Sequence, residues 1–279
     1  MNVHKTATAR ERFTAVVLQP DDRIDLAEVA LLIAQEEYPH IEVSRYLRCL
    51  DELAAAARKQ VRAAASASEQ VAQLNRFLFV EQGFAGNSEN YYDPRNTYLN
   101  EVLDRRTGIP ISLGVVYSEV AQRLDLPVYG VSFPGHFLVK YIGDPEIIID
   151  PYFGTVINEE ECLQRLRGIY GSKARFDRRL LHPAGAREIL VRMLSNLKQM
   201  YVDRSDFARA LTCVDRILLL APDLPRELRD RGILYQRLEC YAAALRDFER
   251  YLKLAPDDEA APLIRETLPD LQRQAALLQ

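Results

Sequence analysis

The four residues Leu-Ala-Pro-Asp occur at positions 220–223 and again at 254–257, a shift of 34 residues. The same shift lays Phe207-Ala208-Arg209-Ala210-Leu211 on Tyr241-Ala242-Ala243-Ala244-Leu245, and Tyr201 on Tyr235. Self-similarity at a period of roughly 20–50 residues marks a chain built from stacked supersecondary units, each too small to bury its own apolar face. Small residues within the period let paired helices approach closely. The proline at its end stops the second helix, because it lacks the N–H and its ring clashes with the preceding turn.

The period and the placing of small residue, aromatic and proline are those of the tetratricopeptide repeat. In the second copy Leu228, Gly232, Tyr235, Ala244, Phe248 and Pro256 fit well. The first copy is looser, with Lys198 at the small position and Val214 at the aromatic one. An all-α module over residues 184–279 is therefore expected: two repeats, then a capping helix in "EAAPLIRETLPDLQRQAALL". About three repeats are needed for a stable stack, so this module is expected to lean on the rest of the chain. Its concave surface makes a protein or peptide the expected partner.

Residues 1–20 read as an N-terminal arm, and residues 21–183 as a second domain that begins with helices. "DLAEVALLIAQEE" opens with Asp25 and Glu28 as a capping pair. "VSRYLRCLDELAAAA" and "SEQVAQLNRFLFVEQG" each carry one apolar stripe, the latter stopped by Gly83. "DPRNTYLNEVLDRRTG" reads as a helix from Asp93-Pro94 or Asn96 to Gly108, and "SLGVVYSEVAQRL" as a broadly buried one. Three short strands follow in "PVYGVSF", "HFLVKY" and "EIIID", and Asn158 with Glu161 caps a closing helix. Helices first and antiparallel strands after make this domain α+β, not a parallel α/β sheet.

Charge and composition narrow the function. A net charge of -4 argues against nucleic acid as partner. No run approaches the roughly 18 apolar residues of a membrane helix, and the N-terminus lacks a signal-peptide core. Cys49, Cys162, Cys213 and Cys240 show neither paired nor metal-type spacing, which is the pattern of reduced thiols in a cytoplasmic protein. His4, His40, His136 and His182 include no two at ligand spacing, and "GFAGN" lacks the lysine of a phosphate loop. No metal or cofactor is expected.

The chemistry gathers in "SFPGHFLVKY" and "IIIDPYFG", where His136 opens a strand-like run and Asp150 ends the next one, fourteen positions on. A buried helix, a strand led by histidine and a strand ended by aspartate is the layout of papain-like and transglutaminase-like sites. There a cysteine at the helix start is activated by the histidine, which a carboxylate or amide orients. Taken singly, His136 reads equally as a satisfied core histidine and Asp150 as a strand-ending turn.

The stretch from Asn75 to Tyr141, followed by "IIIDPYFG", resembles the SirB-type transglutaminase-like family, which joins such a domain to tetratricopeptide repeats. The likeness runs from about residue 22 to the C-terminus. It implies a papain/transglutaminase-like core with His136 and Asp150 as the histidine and aspartate of the triad. Catalytic members carry Gly-x-Cys at the helix start, and matching Gly108-Ile109 puts Pro110 on the cysteine. Ser112 stands two residues on, either as a substitute nucleophile or as the helix N-cap. Asn96, Asn100, Arg105 and Arg106 are candidates to line a retained cleft; their other reading is helix caps and solvent-facing charges.

Losing a triad's nucleophile costs on the order of 10⁶ in turnover, so a non-catalytic binding or regulatory scaffold is the first reading. An active hydrolase or acyl transferase, using His136 and Asp150 with Ser112 or a displaced cysteine, is the second. A structural module that holds partners through its repeats alone is the third.

Overall fold

The computed structural model describes residues 7–277 and divides the chain into two compact units, Met1–Leu190 and Val191–Gln279. In the first, α1 (Ala9–Val17) already departs from the expected arm. Thr8 and Glu11 close a capping box at its start, and Phe13 and Val17 are buried where it packs on α2 (Leu26–Glu37). His4 lies outside the described residues.

Asp25 starts α2 by accepting the N–H of Glu28 at 2.8 Å, and α2 buries everything from Val29 to Ala34. α3 (Val43–Ala63) is amphipathic, burying Val43, Tyr46, Leu50, Leu53, Ala54, Ala57 and Val61. α4 (Ala67–Asn75) runs on into a π-helical turn, Arg76–Glu81, and ends near Gly83, whose φ of 72° is open to glycine at little cost.

The single helix expected over 93–108 is three pieces. Asp93 caps a 3-10 turn, Pro94–Asn96, and α5 (Leu99–Arg105) follows. It ends not at Gly108 but at Arg106, which takes a left-handed φ of 57°. The chain then enters β2 (Thr107–Gly108), paired in parallel with β1 (Ala85–Gly86).

α6 (Pro110–Arg123) is buried from Pro110 to Ala121 and packs against the sheet. That sheet is an antiparallel meander in chain order: β3 (Val128–Val131), β4 (Leu138–Tyr141), β5 (Ile147–Asp150) and β6 (Thr155–Ile157). β6 was not anticipated; at three residues it carries too little pattern to read. His136 does not lead a strand either. It sits in the bend two residues before β4, after the Pro134-Gly135 turn. α7 (Glu159–Tyr170), with its Asn158–Glu161 capping box, closes the unit. Helices before an antiparallel sheet make it α+β.

α8 (Ala186–Asp203) leads into the second unit, which is all helical: α9 (Phe207–Leu220), α10 (Pro225–Arg237), α11 (Tyr241–Leu254) and α12 (Ala261–Leu277). The 34-residue shift carries the bounds of α9 onto those of α11. In the second repeat a Cβ on Gly232 would collide with the ring of Phe248, so the glycine admits the aromatic. The first repeat solves the same contact differently. Val214 replaces the ring, and the glycine's place is taken by Lys198, whose Nζ meets Glu227 at 2.8 Å and Asp230 at 2.7 Å. Lys198 is only 7% exposed, and a charge that deep requires such partners. No helix among the described residues is long and apolar enough to cross a membrane.

Candidate functional site

The turn after Phe133 brings His136 back toward β5, and the antiparallel pairing of β4 with β5 sets it beside Asp150. His136 Nε2 and Asp150 Oδ2 lie 2.9 Å apart. The carboxylate is fully buried, accepts three hydrogen bonds and pairs with one guanidinium. Oδ2 also takes Arg165 Nη2 at 2.7 Å, while Oδ1 takes the backbone N–H groups of Tyr152 at 2.9 Å and Phe153 at 3.4 Å. Burial alone pushes the Asp150 carboxyl up, but the hydrogen bond with His136, the Arg165 guanidinium and the Tyr152 N–H more than reverse this and hold it below its ordinary value. Because Nε2 is engaged by Asp150, any proton transfer by the imidazole has to pass through Nδ1.

α6 runs past the residues that follow each member of this pair. A Cβ on Gly114 would come 2.6 Å from the ring of Phe137 and 3.6 Å from Pro151, the neighbours of His136 and Asp150. Residues four apart share a helix face, so Pro110, one turn earlier, belongs to that face. Pro110 is buried at the first position of the helix, where its missing N–H is no loss. It offers no nucleophilic atom.

Ser112 is fully buried at the third helical position, and Ile109, not Ser112, is the N-cap residue. Its hydroxyl donates to the Asn96 carbonyl at 2.5 Å and accepts the Ile109 N–H at 3.1 Å. The oxygen therefore serves the helix start. A displaced cysteine fares no better. Cys162 on α7 is close enough to feel Asp150, but burial pushes its thiol up to about 11, the wrong direction for a thiolate. Cys49 lies on α3, while Cys213 and Cys240 belong to the second unit.

The other candidates form a polar hub rather than one wall. Asn96 is fully buried. Its Oδ1 accepts from Asn87 at 3.0 Å and Arg105 at 3.4 Å, and its Nδ2 donates to the carbonyls of Asn90 and Tyr91. Asn100 is buried with Oδ1 unbonded. Arg106 turns away, stacking on Phe84 at 4.7 Å.

Sequence reasoning missed Arg165 and the aromatic groups around the histidine. Tyr152 lies edge-on to His136 at 6.4 Å and meets Tyr91 at 6.1 Å and Phe153 at 5.0 Å. Tyr91, Tyr92 and Phe153 are exposed. The Asp-Pro-Tyr-Phe-Gly stretch does signal a side-chain-to-backbone turn. No three His, Cys, Asp or Glu side chains gather as a metal site would need among the described residues.

A meander carrying a His–Asp pair against the start of a buried helix, with helical repeats after it, defines a transglutaminase-like protein with a tetratricopeptide module. The family described as "Transglutaminase-like superfamily" matches residues 44–195, and "Tetratricopeptide repeat" matches 197–269. A UPF0162 protein of Xylella fastidiosa is 42% identical over 259 residues, covering 91% of this chain and 92% of that one. A UPF0162 protein of Vibrio cholerae is 33% identical, covering 88% and 91%. Protein SirB1 of Salmonella typhimurium is 27% identical, covering 82% and 86%. The chain belongs to this SirB-type transglutaminase-like family.

Proposed function

We propose that this protein is a non-catalytic, transglutaminase-like scaffold that binds protein or peptide partners. The observation that supports the reading is the lack of a free nucleophile at the start of α6: Pro110, which the family resemblance sets on the cysteine, has no reactive atom, and the Ser112 hydroxyl is spent on Asn96 and Ile109. A serine so committed would have to break the helix start before it could attack. Binding has two places to act. One is the surface of exposed aromatics beside His136. The other is a cavity of about 250 Å³ in the helical repeats, lined by Phe207, Ile233 and Leu234 with Lys198, Asp230 and Arg237. Repeat units of this type present such surfaces to extended segments.

The test pairs the wild type with H136A. Purified protein is incubated with a glutamine-bearing protein and a fluorescent amine, and separately with fluorogenic peptide amides and esters. No turnover that depends on His136 is the expected result. Amine incorporation or hydrolysis that H136A abolishes would establish the enzyme reading instead.

A further inference from the structure

α7 presents Cys162, Arg165, Leu166 and Ile169 on one stripe. Cys162 and Leu166 are buried in the cluster of Val131, Phe133, Leu138, Ile148 and Ile157. Ile169 lies against Gly135, in the turn that carries His136: a Cβ there would collide with it. Residues spaced by three and four share one helix face, so Arg165 occupies a position where this stripe otherwise offers apolar groups. Its side chain is 27% exposed, and its guanidinium pairs with Asp150 Oδ2 at 2.7 Å and lies 5.7 Å from the centroid of the Phe153 ring.

His136 Nε2 shares that same oxygen at 2.9 Å. Asp150 supplies one negative charge. If Arg165 already balances it, a protonated imidazole on the same oxygen adds a second cation beside the first. The repulsion between them is of the same order as the attraction each feels for the carboxylate. A neutral imidazole that donates through Nε2–H avoids this conflict. Tyr152 after β5 and Cys162 on α7 also stand near the pair, and Glu159 and Glu161 at the start of that helix act on the thiol. The thiol, pushed up to about 11, adds no charge at neutral pH.

We propose that Arg165 is a positioning residue of this site: it clamps Asp150, takes up its charge, and so holds His136 neutral with the proton on Nε2. This goes beyond the scaffold reading and stands whether or not the site turns over a substrate. It also separates this site from a simple His–Asp couple, in which the carboxylate's charge belongs to the histidine alone.

The test is a long-range proton–nitrogen NMR titration of the full chain labelled at histidine nitrogen, with the His136 signals identified by their loss in H136A. Wild type is expected to show the Nε2–H tautomer. R165Q, or R165M if the glutamine variant fails to fold, is expected to move the His136 titration midpoint upward by about one pH unit, since the unshared carboxylate then favours imidazolium. R165K should restore it, and D150N should move it downward. A midpoint that stays put in R165Q and R165M, even with lowered thermal stability, would reduce Arg165 to a packing residue and overturn the proposal. An Nδ1–H tautomer in wild type would do the same.

Discussion

Replacing Asp150 by asparagine is the most informative single change, because it preserves shape and removes only charge and acceptor capacity. The carboxylate accepts His136 on Oδ2, where the Arg165 guanidinium also pairs with it, and the N–H groups of Tyr152 and Phe153 on Oδ1. An amide has one oxygen. If its NH₂ replaces Oδ2, it meets two donors; flipped, it meets the two backbone N–H groups. Either way two donors lose their acceptor, at about 1–3 kcal/mol for each buried group. Arg165 also loses its counterion, and breaking a buried pair from one side typically costs about 3–5 kcal/mol in total. We take about 3–5 kcal/mol as the whole effect, since the two counts overlap.

Set against a domain stability of about 5–15 kcal/mol, D150N should remain folded in water but unfold at markedly lower urea. H136A removes one partly exposed partner and leaves Asp150 with two hydrogen bonds and the Arg165 pair, so its loss should be near 1 kcal/mol. The assay is urea unfolding followed by circular dichroism at neutral pH, comparing midpoints where slopes agree. D150N within about 1 kcal/mol of wild type would refute this account of the carboxylate's three hydrogen bonds and one ion pair.

Three further outcomes follow from the same contacts. Asp150 is held below its ordinary value of 3.8, so its contribution is fully present above that value and is lost as pH falls through the lower, folded one. The stability gap between wild type and D150N should therefore narrow on acidification below about pH 4, read as urea midpoints across pH. S112A should lower stability by about 1 kcal/mol, at the low end because Asn96 O keeps the Ile109 N–H at 3.3 Å; any activity found should survive it, and its loss would revive the serine reading. G232A should destabilise the repeat unit by about 1–3 kcal/mol through collision with Phe248, whereas an unchanged or raised melting temperature would show that the ring moves aside.

The repeat was legible because period and residue type agree: the bounds of α9 and α11 coincide under the 34-residue shift. The His136–Asp150 pairing was legible because two adjacent antiparallel strands bring a residue near one start beside a residue at the other end. The break within 93–108 was not. Its cause is a left-handed Arg106, a conformation that arginine rarely takes and that no local pattern announces. β1 and β2, at two residues each, are made by tertiary pairing alone. Arg165 was hidden for another reason. Its partner lies fifteen residues back across a strand and a turn; the one local hint was an arginine in the middle of an apolar stripe.

What a site of this kind can lose is not symmetric. The family resemblance sets the nucleophile at Pro110, the first helical position of α6, whose N–H is unpaired in any helix, so proline there is favourable. The nucleophile's place can thus be surrendered with no structural penalty. Asp150 is different: His136 and two backbone N–H groups hydrogen-bond to it, and a charged guanidinium pairs with it. Removing it strands them in a dry interior, where unpaired polar groups are most expensive. A transglutaminase-like fold without a nucleophile is therefore expected to keep its aspartate for stability, and with it a histidine held at 2.9 Å. An intact pair is therefore evidence of the architecture and not, by itself, of turnover.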